Sequence, residues 1–159
     1  MGFPLKKLIV KDTKRLTEQL HELFFAQSLA VLSTAGNGQP YSNLIAFAAS
    51  DDLRDLIFAT TRSTRKYRNI SNNSRVSLLI DNRSNAVSDF HNAMAVTATG
   101  TVSEISGDEK TDFLTIYLRK HPHLEEFVMS PTCALMRVEV EKCYIVQQFQ
   151  NVMVLHLRS

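Results

Sequence analysis

The chain has 159 residues, 44% of them apolar, with 18 Lys plus Arg against 16 Asp plus Glu and no Trp. One domain of roughly 150 residues buries about 70% of its unfolded surface and needs no disulfide to hold a core. The formal net charge of +2 predicts neither nucleic acid nor membrane as partner, no apolar run reaches the ~18 residues of a membrane span, and residues 1–15 lack the order of a signal peptide.

The two cysteines, Cys133 and Cys143, lie in apolar stretches and match no zinc or redox spacing, so a reducing, cytoplasmic setting is expected. The distribution of charge says more than its sum. Residues 56–80 hold five basic side chains, Arg62, Arg65, Lys66, Arg68 and Arg75, and no acidic one. A near-neutral average therefore hides one local electropositive segment.

Residues 13–28 place Leu16, Leu20, Leu23 and Phe24 at helical spacing, which predicts an amphipathic helix capped by Asp12 or Thr13. Strands are predicted at 29–35 and 40–49, reversed by the cluster around Asn37 and Gly38. A third strand ends near Thr61. Ser63 or Thr64 then caps a short helix of about two turns that stops at Asn72 and Asn73.

A fourth strand follows at 75–81, a polar loop at 82–92, and a long fifth strand at 93–106 whose Gly100 permits a bulge. A second helix is predicted at 108–121, with Phe113, Ile116 and Tyr117 on one face, and a short third at 122–130. Strands at 133–148 and 151–158 finish the pattern. About six reversing strands, with alternating rather than continuous apolar runs, predict a mainly β (α+β) single domain: a mostly antiparallel sheet closed or nearly closed into a small barrel.

Three properties converge at residues 58–69. Thr60 and Thr61 bring hydroxyls at a strand end, Ser63 and Thr64 bring more at a helix start, and the first helical turn carries unpaired amides with partial positive charge. Arg65 and Lys66 in that turn oppose the helix dipole, a cost that a phosphoester dianion reverses. The same charges also fit a solvated basic face pairing with acids elsewhere. Tyr67 is the only aromatic between Arg62 and Arg75, so a compact phosphate suits the segment better than a nucleic acid.

Other constellations are weaker. His121 and His123 with Glu125 and Glu126 follow no zinc spacing and read as a polar turn. His91 and His156 have no inferable nucleophile or orienting carboxylate. No dinucleotide, P-loop or zincin motif occurs.

Taken together, residues 38–49, 56–81 and 95–105 resemble the pyridoxamine 5'-phosphate oxidase-like flavin-binding proteins, over roughly residues 25–158. The resemblance implies a six-stranded antiparallel split β-barrel, usually a homodimer with FMN in a cleft between subunits. It implies that Arg65 and Lys66 grip the FMN phosphate with Ser63 or Thr64 beside them. Thr60 and Thr61 would flank the flavin, and Ser42, Asn43, Leu44 and Ile45 would line its isoalloxazine.

The departures from that pattern are equally specific. Where the oxidases carry an Arg and a later Lys on the second strand, this chain has Asn43 and Ala48, and it has no Trp for their substrate-holding C-terminal segment. The tail, with residues 81–85 and 89–91, resembles a flavin-nucleotide-binding branch of the same superfamily. Related branches bind F420 or haem, and haem-degrading members use a C-terminal histidine, which singles out His156. The expected function is an FMN-binding flavoprotein oxidoreductase without the oxidase's substrate residues. The alternatives are a haem-binding or haem-degrading protein, or a non-enzymatic FMN-binding module.

Overall fold

The computed structural model describes residues 10–148 and 151–158; the N-terminal residues 1–9, read above for a leader, lie outside them. Helix α1 (Val10–Ala26) leads into β1 (Leu29–Gly36) and β2 (Gln39–Ala49). These two strands join through Asn37 and Gly38 with φ of 50° and 76°. Two consecutive left-handed residues make the tight turn whose twist matches a hairpin, which is why Asn-Gly stands there. Strand β3 (Asp55–Thr61), helix α2 (Arg65–Asn72) and β4 (Arg75–Asp81) follow.

Next come α3 (Asp89–Asn92), β5 (Met94–Glu104), α4 (Glu109–Lys120), a 3-10 turn (Pro122–Leu124), α5 (Glu125–Met129), β6 (Cys133–Gln147) and β7 (Asn151–His156). The strands form one sheet in the order β3-β2-β1-β4-β5-β6-β7, every pairing antiparallel, and β3 also pairs β6. Six strands thus close the barrel and β7 is appended to β6. The long β6 serves both functions, pairing β3 through residues 133–139 and β7 through residues 142–147. The expected bulge is present as a register shift between Thr99 and Gly100.

The barrel is filled by one face of each strand, with Leu32, Phe47, Phe58, Leu78, Ile80, Val96 and Val138 fully buried; Leu16, Leu20, Leu23 and Phe24 of α1 join the same cluster. A second cluster joins Ala48, Ile57 and Leu135, on the outer face of the barrel, to Tyr117 of α4 and Val128 of α5. That double coverage explains why β3 reads as a continuous apolar run within an antiparallel sheet. Both cysteines are free and buried, and burial pushes the Cys143 thiol up to about 12.

The segment 82–92 departs from the simple loop the sequence predicts. The Asp89 carboxylate accepts hydrogen bonds from the Ser84 amide and hydroxyl and from the Asn85 amide, and α3 follows as a single turn. A four-residue helix is too short to show a period. The Ser84 amide, followed by its hydroxyl, holds the Asp89 carboxyl below its ordinary value.

Helix α4 is tied to α1 by a half-buried cation. Lys120 Nζ donates to the Phe24 carbonyl at 2.7 Å, at the α1 C-terminus, and lies 3.9 Å from the Phe47 ring centre. His121 Nε2 stands 2.7 Å from the Phe47 carbonyl. His121 is thus a core residue, and among the described residues no cluster of metal-binding side chains occurs.

Burial pulls the Lys120 pKa from its ordinary 10.5 to about 8. Between those values the unfolded chain holds a proton that the folded chain has lost, so this group adds stability as pH rises through the window. The stability of wild type relative to Lys120→Met, measured by denaturant unfolding, is therefore expected to be flat below pH 8 and to rise between pH 8 and 10.5. A difference with no slope there contradicts the assignment.

Candidate functional site

Strands β2 and β3 pair only at Phe47–Phe58, Ala48–Ile57 and Ala49–Leu56. Had the ladder continued, Ile45 would oppose Thr60 and Leu44 would oppose Thr61. Instead β2 stays with β1 down to Gln39, while β3 stays with β6 down to Thr61. The two strands part and leave a slot in the barrel wall.

The polarity of that slot follows from the strand period. The Phe47 amide donates to the Ser28 carbonyl, toward the β1 side. Backbone groups alternate sides along an antiparallel strand, so those of Ala46, Leu44 and Ser42 face the slot. The Leu44 carbonyl accepts from Asn43 Nδ2 at 3.3 Å, and Asn43 Oδ1 is buried without a partner. One wall of the slot is therefore a strand edge without a partner strand, with one unsatisfied buried acceptor, Asn43 Oδ1.

At the mouth of the slot stands the N-terminus of α2. Thr64 is its N-cap: its hydroxyl accepts from the Tyr67 amide at 3.3 Å and donates to the Thr61 carbonyl at 3.0 Å. Thr60, only 2% exposed, has its hydroxyl 3.0 Å from that of Thr64. The Thr60 and Thr64 hydroxyls thus build the turn. Ser63, exposed, has its hydroxyl 3.5 Å from that of Thr61. The amides of Arg65 and Lys66, at the first two helical positions, have no acceptor within the helix.

Of the five basic residues, two are neutralised. Arg62 is bound to Glu104, and Arg75 NH1 lies 2.8 Å from Glu141. Arg65, Lys66 and Arg68 form no ion pair among the described residues. Arg65 stacks its guanidinium 5.3 Å from the centre of the Tyr41 ring, which brings the helix start over the beginning of β2. Lys66 is half-buried, and burial alone lowers its pKa.

Helix α2 approaches β1 closely. A Cβ on Gly36 would lie 2.3 Å from Asn69 Oδ1, and Asn69 Nδ2 donates to the Thr34 hydroxyl at 3.0 Å. A side chain at position 36 would displace the Asn69 carboxamide that ties α2 to Thr34 of β1.

The structure thus sets Ser42, Asn43, Leu44 and Ile45 along one wall, Thr60 and Thr61 on the other, and Ser63, Thr64, Arg65 and Lys66 at the mouth. The side chains of Ser42 and Leu44 lie on the outer face, where the Ser42 hydroxyl is 3.0 Å from that of Ser33. Sequence reasoning did not find Tyr41, because its role depends on a helix two elements later, nor the slot itself, which arises where a ladder ends. The C-terminal residues lie elsewhere. Arg158 NH2 binds the buried Asp55 carboxylate at 2.8 Å, and Arg137 Nε binds the same oxygen at 2.9 Å.

His156 is exposed on β7 opposite Lys142. Strand β7 pairs residues 142–147 of β6, beyond residues 133–139 of the same strand, which pair β3 at the slot's other wall.

Comparison with solved structures returns the same fold. The haem-binding protein of Mycobacterium smegmatis superposes with a TM-score of 0.79 at 14% identity, covering 89% of this chain and 57% of its own. General stress protein 26 of Bacillus anthracis gives 0.68 at 21% identity, with 89% and 98% covered. An FAD-binding protein of Mesorhizobium loti gives 0.65 at 18% identity, with 80% and 90% covered. At these identities the likeness is one of fold, and the chain spans little more than half of the mycobacterial protein. No curated protein matches in sequence. The family model for pyridoxamine 5'-phosphate oxidase, however, matches residues 16–147, most of the length, and the chain belongs to that family.

Proposed function

We propose that this protein binds FMN, with the phosphate at the N-terminus of α2 and the ring along the slot between β2 and β3, and works as a flavoprotein oxidoreductase. The observation that carries the reading is Lys66, a half-buried cation with no carboxylate partner, set beside Arg65 and two unpaired amides. A lone buried cation is costly, and a dianion placed there removes that cost. Two cations suit one phosphate group, which favours FMN over a dinucleotide. Bound flavin supplies the hydride or electron transfer, and the protein supplies position and electrostatics.

The chain's own residues define what is recognised. Arg65 and Lys66 hold the phosphate, Tyr41 supports Arg65, and the open edge of β2 with the unpartnered Asn43 Oδ1 offers polar groups to a ring bearing alternating donors and acceptors. Asn43 stands where the oxidases carry an Arg, while Ala48, where they carry a Lys, is buried under α4 outside the slot, and the missing Trp removes their substrate holder. The site therefore lacks the residues with which the oxidases hold a pyridoxine phosphate. Titration with FMN and with riboflavin tests the reading, since only FMN presents the phosphate.

Haem is the less supported ligand, because the residues that form the slot and its mouth include no histidine. We also propose a homodimer through the outer sheet face. Leu44, Val31, Leu79, Thr97, Tyr144 and Val154 are register neighbours across it, and Leu44 is 65% exposed. Exposed apolar stripes of this kind mark association surfaces. Wild type is expected to sediment as a dimer and Leu44→Lys as a monomer. A monomeric wild type rules the dimer out.

A further inference from the structure

Helix α2 should be a poor helix. It has eight residues, well below the length at which an isolated helix holds, and its first turn carries Arg65 and Lys66 without an acidic residue. Thr64 caps it, but one cap does not offset two cations against the dipole. A charge from outside the helix fills that gap.

Glu104, the last residue of β5, lies against this turn. Its Oε1 accepts from Arg62 Nε at 3.0 Å and from Arg62 NH2, and its Oε2 accepts from the Tyr67 hydroxyl at 3.2 Å. Arg62 precedes the N-cap, and Tyr67 lies in the first turn. One carboxylate therefore grips the chain on both sides of Thr64.

Arg62 extends the anchorage. Its NH1 donates to the Pro131 carbonyl at 2.9 Å, and its amide donates to the Thr132 carbonyl at 3.1 Å. The turn is tied to β5 and to the lead-in of β6 together.

We propose that Glu104 is a positioning residue: acting through Arg62 and Tyr67, it holds the first turn of α2 in the geometry that receives a phosphate group. An acid beside an anion site would ordinarily repel the ligand. Here its charge is spent on Arg62, which leaves Arg65 and Lys66 to face the anion. This rests on the FMN reading for the ligand, but the latch itself is a property of the ligand-free chain.

Two measurements test it. In the ligand-free protein, Glu104→Ala is expected to speed amide hydrogen exchange at Tyr67 and Arg68, whose amides donate to Thr64, relative to wild type. In titrations, Glu104→Ala is expected to weaken FMN about tenfold, the size of one lost charge-assisted hydrogen bond, and to leave riboflavin within about twofold. Glu104→Gln still accepts from Arg62 and is expected to restore FMN binding to within about threefold of wild type.

Unchanged exchange at Tyr67 and Arg68, unchanged or tighter FMN binding by the Ala variant, equal weakening of both flavins, or Gln as weak as Ala would each overturn the proposal. If wild type binds no FMN, the ligand reading fails while the exchange experiment still decides the latch.

Discussion

Replacing Arg65 and Lys66 together by Ala is expected to weaken FMN by about 10²–10⁴-fold, at roughly 1.5–3 kcal/mol for each charge-assisted hydrogen bond. Riboflavin, which lacks the phosphate, is expected to change by less than about twofold on the same reasoning. Neither side chain holds the fold. Arg65 is exposed over Tyr41, and Lys66 is half-buried without an ion-pair partner. Paired fluorescence titrations of the two flavins check the split. Equal losses for both would show that the pair supports the helix rather than the phosphate.

The direction with pH follows from Lys66. Burial lowers its pKa below the ordinary 10.5, and a bound phosphate restores the charged form. FMN affinity therefore falls as pH rises through the ligand-free Lys66 pKa, while riboflavin affinity stays flat.

Phe58→Ala is the substitution expected to cost most in stability, about 3–5 kcal/mol as for other buried Phe→Ala changes. Phe58 is fully buried and pairs Phe47 on one side and Met136 on the other. It sits on the last rung before β2 and β3 part. Its loss therefore opens a cavity at the root of the slot as well as in the core. Denaturant unfolding measures the cost, and a loss under about 1 kcal/mol contradicts the packing described. Both flavins are expected to weaken together in this variant, in contrast to the charge deletion.

The elements were largely legible because each carries its own period or stop signal. Alternation gave β1, β2, β5 and β6, Asn37-Gly38 gave the hairpin, and Thr64 with Asn72 and Asn73 bracketed α2. The basic cluster could be located but not sorted. That Arg62 and Arg75 are neutralised depends on Glu104 and Glu141, which are 42 and 66 residues away.

The roles of the hydroxyls were likewise hidden. Sequence spacing put Thr60 and Thr61 at the strand end and left Ser63 and Thr64 as alternative caps, yet the turn consumes the hydroxyls of both Thr60 and Thr64 in its own hydrogen bonds. The slot had no sequence signal at all, since it exists only because β3 follows β6 while β2 follows β1. The α3 turn was missed for the opposite reason: its signal is a single side chain, Asp89, gathering amides upstream.

The central claim is that the open charge at the start of α2 is a phosphate site belonging to a flavin nucleotide. The most direct measurement loads wild-type protein separately with FMN and with riboflavin, desalts each sample, and records the visible absorbance spectrum of the protein fraction. The account predicts a protein-bound flavin spectrum, near stoichiometric, for FMN and little for riboflavin. A flavin-free protein after FMN loading, or equal retention of the two, would contradict it.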